Sequence, residues 1–371
     1  MTIKEKTRAL FGFDGPFAIA MWDFSWLERR WSGGGFENWD TALLELKERG
    51  YDAVRIDPYP HLFAVDPHKE WLMPPEWNQN SWGSPMLTKI TVHDALRDFL
   101  SACKKYGIRV GLSSWYRKDM DNVHLKIKTP RDHANIWTEL LHRIDGWGMA
   151  DTILYVDFCN EWPFDIWAPF FTDIHGKVEY FDSTSVEWMR ETVRIFKDSY
   201  PAVPVTFSCC TNFGDDAPDI SFLDFMEVHT WMVSFTDYYA RVGYKYERFE
   251  DTGYVKMAFD GERIYREDKD YFDSALVSGI ERIGRWAKKR NMPFVTTECW
   301  SVIDYKDGPM LNWDWILELN ELGVKTATKT GAYAGIATSN FCAPQFVGMW
   351  REAEWHRRMC DIIHESAKEI K

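Results

Sequence analysis

Eight short runs of apolar, β-forming residues recur along the chain, and nearly every one ends on a polar or aromatic side chain. Residues 17–21 give way to Trp22-Asp23-Phe24, 53–56 to Asp57-Pro58, and 108–112 to Ser113-Ser114-Trp115. Residues 152–159 climb into Asn160-Glu161-Trp162-Pro163, and Pro163 stops that strand because proline cannot continue a central one. Residues 203–207, 225–228 (before His229-Thr230-Trp231), 293–297 (before Glu298-Cys299-Trp300) and 333–338 complete the set. Helical patterns separate most of them: from Asn38 or Asp40 to Gly50, then 92–106, 132–147, 185–199, 272–289, 313–322 and 351–368. This alternation predicts an α/β fold with a parallel sheet, and eight repeats predict its closure into a single (β/α)8 barrel over 1–371 with long βα loops. Catalytic groups in such barrels sit at the C-terminal ends of the strands, so the strand tips are where chemistry is expected.

Three intervening stretches carry their own readings. Gly33-Gly34-Gly35 lacks the strand before and the helix after that a phosphate cradle needs, so it reads as a flexible loop. Residues 57–91 and 162–184 read as long functional loops. Asp260-Gly261, flanked by β-formers over 254–265, reads as a hairpin that forms a flap over the cleft.

Composition narrows the function. A net charge of -13 with no Lys/Arg block argues against a nucleic-acid partner. No apolar run is long enough to span a bilayer and the first residues lack an apolar leader core, so a cytoplasmic protein with no membrane partner is expected. The seven cysteines show no paired spacing and read as reduced thiols. The 20 tryptophans are a different matter. Flat indoles stack on the apolar faces of sugar rings, so a tryptophan-rich rim points toward an oligosaccharide partner, although indoles also serve as core. No feature sets the number of subunits.

The two tips that end on a carboxylate and an indole, Glu161-Trp162 and Glu298-Cys299-Trp300, carry the chemistry. Glycoside cleavage needs a proton donor to the leaving oxygen and a second carboxylate opposite it, ~5–5.5 Å away when configuration is retained. A lone glutamate at a strand end is more often a salt-bridge partner, but two, each after an apolar strand and each followed by tryptophan, are harder to dismiss. Trp22, Asp23, Trp115, Trp162 and Trp300 sit at tips where they serve either as subsite walls or as core. Asp57, His61, Asp66 and His68 mix metal-ligand types but lack helical i, i+4 spacing or a His-Glu-x-x-His pattern, so no metal and no cofactor is expected. The absence of a Gly-x-Ser-x-Gly elbow disfavours an α/β-hydrolase.

With Asn160-Glu161 closing the fourth strand, Glu298 the seventh, Arg55 on the second and His229 on the sixth, the chain resembles the retaining clan of (β/α)8 glycoside hydrolases that includes family-5 cellulases and mannanases. The nearest group is the cellulase-like, sugar-binding proteins at its edge. That resemblance implies Glu161 as general acid and then base, and Glu298 as nucleophile. It implies Asn160 as a partner of the sugar 2-hydroxyl, Arg55 as the cation keeping Glu298 ionised, and His229 near the cleft floor. A core imidazole is the alternative for His229. Three departures stand out: Trp231 where the clan often has tyrosine, Ser339-Asn340-Phe341 where it has tryptophan, and Asn-Glu-Pro stretched by Trp162. They bear on the sugar platform and the substrate. Two rival functions remain: a non-catalytic carbohydrate-binding barrel, and a metal-dependent barrel hydrolase with an ion near Asp57 or His229.

Overall fold

A computed structural model describes residues 1–76, 82–210, 217–244 and 251–369 of the chain. The eight expected strands form one parallel sheet: β1 (Phe17–Asp23), β2 (Ala53–Ile56), β3 (Arg109–Ser113), β4 (Ile153–Asp157), β5 (Val205–Thr206), β6 (Met226–Glu227), β7 (Phe294–Thr296) and β8 (Tyr333–Ile336). Neighbours run β5-β4-β3-β2-β1-β8-β7-β6. The remaining seam, between β5 and β6, is joined just past both strands by the parallel bridge Cys209↔Val228. The fold is a (β/α)8 barrel.

Every residue of β1, β2 and β4 is buried, as near-continuous apolar runs predict for parallel strands covered on both faces. The barrel interior is filled by large rings admitted by absent side chains. A Cβ on Gly111 of β3 would meet the Tyr155 ring at 2.4 Å, and one on Gly335 of β8 would meet Phe17 at 2.6 Å. Helices Val92–Tyr106, Pro130–Gly146, Ser183–Ser199, Lys269–Arg290, Asp314–Thr330 and Ala353–Glu369 form the outer layer. No helix among the described residues is long and apolar enough to cross a membrane.

An unforeseen helix, Ile3–Phe11, precedes the barrel, and its start was legible. Thr2 and Glu5 form a reciprocal capping box. Phe11 then packs against Phe17, Tyr155 and Phe225 at centroid distances of 5.3, 6.5 and 5.1 Å, closing the end of the barrel opposite the strand tips. The long loops also carry structure: helix Pro60–Val65 and the antiparallel pair Trp71–Met73 with Thr88–Ile90 in the first, and helix Pro169–His175 in the second. Residues 77–81 of the first loop lie outside the described residues.

The hairpin expected over 254–265 is not there. Asp251–Lys256, the wider turn Met257–Gly261 and Glu262–Glu267 are helical, and Asp260-Gly261 lies inside that run. Tyr254, Met257, Gly261 and Tyr265 are buried at helical spacing, and Arg263 bonds Asp260 and Glu267 one turn away on either side. That stripe outweighs the local Asp-Gly turn signal. Nor does this segment act as a flap, since none of 254–265 lines the cleft described below.

Candidate active site

The strand tips open into a cleft of about 680 Å3. At its floor lies Arg55, wholly buried on β2. Its Nη2 donates to Ser113 Oγ (2.8 Å), Asp157 Oδ2 (2.8 Å) and Asn160 Oδ1 (2.7 Å), and its Nη1 to Glu298 Oε1 (3.0 Å). Its Nε lies 3.3 Å from Glu227 Oε1, and its guanidinium carbon sits 4.5 Å from the centroid of the Trp115 ring. Burial works against the Arg55 charge, but Glu227, Asp157 and Glu298 together outweigh it and raise its pKa. Arg55 is therefore a fixed cation that ties the tips of β2, β3, β4, β6 and β7 together.

Glu161 follows β4 with φ of 47°, a left-handed conformation that costs a non-glycine residue about 1–2 kcal/mol. Ser208 holds it there: Ser208 Oγ accepts from the Glu161 N–H (3.0 Å), and the Ser208 carbonyl from the Trp162 N–H (2.9 Å). The resulting turn points the Glu161 carboxyl into the cleft. Its Oε1 lies 2.9 Å from His229 Nδ1, and its Oε2 accepts from Trp167 Nε1 at 2.9 Å. His229 Nδ1 also lies 3.6 Å from Glu298 Oε2. One oxygen of Glu161, one of Glu298 and a His229 nitrogen all lie within 4.8 Å of one another.

The two carboxyls are pushed in opposite directions. Burial raises Glu298 to about 7, with the nearby Glu161 charge adding to it against His229 and Arg55. Burial opposes ionisation of Glu161 too, but the hydrogen bonds and charges of His229, Trp167 and Arg55 prevail and hold it below its ordinary value. His229 is lifted to about 10, because Glu298, Glu161 and Glu227 overcome the desolvation that would lower it. The resting site thus favours an ionised Glu161, an imidazolium at His229 and the shared proton on Glu298.

Asn160, Trp115, Trp231 and Asp23 line the same cleft. Asp23 accepts from the backbone of Ser25 and of Gly83 (3.2 Å), and burial raises it to about 6. Two other residues proposed from sequence are placed elsewhere. Trp22 turns away from Asp23, donates to the Cys342 carbonyl (3.2 Å) and packs on Phe36. Trp300 donates to the Ala337 carbonyl (3.0 Å) and sinks against Gly323, where a Cβ would meet the indole at 2.3 Å. Both are core rather than substrate walls. Trp162, left open between wall and core, is nearly fully buried at the cleft edge and donates to Ser185 Oγ (2.8 Å).

The four loop residues weighed as metal ligands do not converge. Asp57 accepts from the backbone of Tyr59 (2.7 Å) and Trp115 (2.9 Å), His61 Nε2 meets the Arg117 carbonyl (2.9 Å), and Asp66 accepts from the backbone of His68 and Lys69. The group with ligand spacing among the described residues is Glu161, His229 and Glu298. A divalent cation there would sit beside the Arg55 guanidinium and compete with the His229–Glu161 bond, so the donor set fits one poorly.

Several contributors escaped the sequence. Asp157 accepts from Ser113 Oγ (2.6 Å) and the Ser208 N–H (2.7 Å), and Glu227 pairs with Arg55 and Thr297. Both are carboxylates inside apolar strands. Glu227 lies two residues before His229, and that spacing on a strand was the available signal. Trp167 comes from a loop with no such pattern.

A family described as sugar-binding, cellulase-like matches residues 19–364. The chain belongs to this cellulase-like family. Among solved structures, it is similar to a candidate glycoside hydrolase from Parabacteroides distasonis at 47% identity and TM-score 0.92, with 96% of this chain and 97% of that one covered. It shares its fold with an endo-1,4-β-D-mannanase from Thermotoga petrophila (13% identity, TM-score 0.54, 87% of each chain). An endocellulase from Pyrococcus horikoshii is similar in the same way (13%, 0.53, 93% of each). No curated protein matches the chain.

Proposed function

We propose that this cellulase-like protein is a retaining glycoside hydrolase acting on a β-linked oligosaccharide, with Glu298 as nucleophile and Glu161 as acid and then base. The observation that carries this is the approach of the two carboxylates, within 4.8 Å oxygen to oxygen. That approach supports a retaining pair, whose carboxyls stand ~5–5.5 Å apart, over an inverting pair, which holds a water across ~6.5–9.5 Å.

Glu298 attacks the anomeric carbon and forms a glycosyl ester as the bond to the leaving oxygen breaks and Glu161 gives that oxygen its proton. A water then attacks the same carbon, Glu161 takes its proton, and Glu298 is released as a carboxylate. The first step needs the proton on Glu161 and the charge on Glu298, the reverse of the resting arrangement. His229 Nδ1, 2.9 Å from one glutamate and 3.6 Å from the other, connects the two and gives that proton a path. Asn160, its Oδ1 fixed by Arg55, presents Nδ2 for the sugar. A panel of 4-nitrophenyl β-glycosides tests the reading. Proton NMR of the first released hemiacetal should show the substrate's own anomer, and the opposite anomer would overturn the retaining assignment.

The resting charge pattern itself favours a second reading, a barrel that binds sugar without cleaving it. Saturable binding of an oligosaccharide with no released product over days would establish that reading.

A further inference from the structure

Three buried polar atoms on cleft-lining residues have no hydrogen-bond partner among the described residues: Asn160 Nδ2, Trp231 Nε1 and Asn340 Oδ1. All three residues are 2% exposed or less. A buried polar atom left unpaired costs free energy unless water or a ligand meets it. Asn340 cannot turn to hide its carbonyl. Its Nδ2 donates to the Ile303 carbonyl at 2.9 Å and its backbone N–H to the Cys299 carbonyl at 2.7 Å, which fixes Oδ1 as an acceptor. The Trp231 indole packs edge-on against His229 at 5.7 Å, and its N–H can only donate.

Their positions say which part of a substrate they meet. Trp231 follows β6 and Asn340 follows β8, so they flank Glu298, just past β7, from both sides. The wall beside Glu161 comes from residues 162–180 and mixes Phe164, Ile166 and Trp167 with charged Asp165, Lys177 and Glu179. A ring attacked by Glu298 would therefore lie between Asn340 and Trp231, with the leaving group along the 162–180 wall.

We infer that Asn340 and Trp231 are specificity-determining residues that hold the glycone by its edge: Asn340 Oδ1 accepts from one free ring hydroxyl, and Trp231 Nε1 donates to another sugar oxygen. This rests on the glycosidase reading and names what that site accepts. A glycone deoxygenated, methylated or acylated at the hydroxyl that meets Asn340 is disfavoured, because the acceptor is then left unpaired.

The test is a coupling measurement. Take the best 4-nitrophenyl β-glycoside from the gluco, manno, galacto and xylo series, and prepare its monodeoxy derivatives at each hydroxyl. For Asn340→Ala, kcat/KM should fall about tenfold on the parent, the size of one such hydrogen bond, but less than about threefold on one deoxy derivative. Trp231→Phe should show the same pattern with a different derivative. Quenching of tryptophan fluorescence by the matching methyl glycosides reads the same coupling without turnover. Equal losses across all derivatives overturn the inference while turnover still supports the glycosidase reading. Coupled binding with no turnover overturns the glycosidase reading and keeps the inference. Neither binding nor turnover overturns both.

Discussion

The tips of β4 and β7 look alike as sequence, each a carboxylate and an indole after an apolar strand, yet they are built differently. Glu161 is held in a left-handed turn by Ser208 and receives bonds from an imidazole and an indole. Glu298, its side chain no more exposed than that of Glu161, is bonded by one guanidinium and otherwise lies between the His229 imidazole at 3.6 Å and other carboxyls. Donors lower the first and desolvation raises the second. The indoles diverge too: Trp162 edges the cleft, and Trp300 fills a gap at Gly323. Two similar motifs acquire two different environments through their partners, most of which lie on other strands.

Removing either side of the pair breaks this comparison most strongly. Glu298→Gln should abolish turnover of every aryl glycoside while circular dichroism stays unchanged, since no nucleophile remains. Glu161→Ala should cost about 10²–10⁴-fold on substrates with poor leaving groups and far less on activated ones, which need little protonation. A plot of log kcat/KM against leaving-group pKa would show it as a steeper slope.

Trp300→Ala should act on the fold instead. Emptying that core site should cost about 3–5 kcal/mol in denaturant unfolding, with kcat of the folded fraction within about fivefold. A large kcat loss at full stability would place Trp300 in the cleft after all.

Smaller effects sharpen the electrostatic contrast. With Glu298 near 7, the alkaline limb of kcat/KM should fall close to pH 7, where the pair loses its shared proton. His229 lowers both carboxyls, so His229→Gln should move that limb to higher pH. Movement to lower pH would contradict the charge assigned to the imidazole. Trp167→Phe removes one donor to Glu161 and should shift the limb in the same direction by less, with a loss of about threefold to tenfold in kcat/KM.

The barrel was legible because its signal is repeated: each strand was marked by its own apolar run and by the residue that ended it. The hairpin over 254–265 failed because a two-residue turn signal was weighed above the buried stripe Tyr254, Met257, Gly261, Tyr265. The site was half legible. Glu161, Glu298, Arg55, Asn160 and His229 announce themselves by position at strand tips or in strands, and the structure brings them to one floor. Trp22 and Trp300 sit at tips as well, but which face of a tip a side chain takes depends on the space left by neighbours such as Gly323. Trp167 arrives through a loop whose path no local pattern encodes, and the partnerless atoms of Trp231 and Asn340 emerge only once three strands stand side by side.

The most direct trial of the carboxylate pair is to incubate the protein with a 2-deoxy-2-fluoro β-glycoside bearing a good leaving group, chosen from the series it cleaves, and to map the label by peptide mass spectrometry. The account predicts one fluoroglycosyl adduct, on Glu298. A label on Glu161, or product of inverted configuration with no adduct at all, would contradict it.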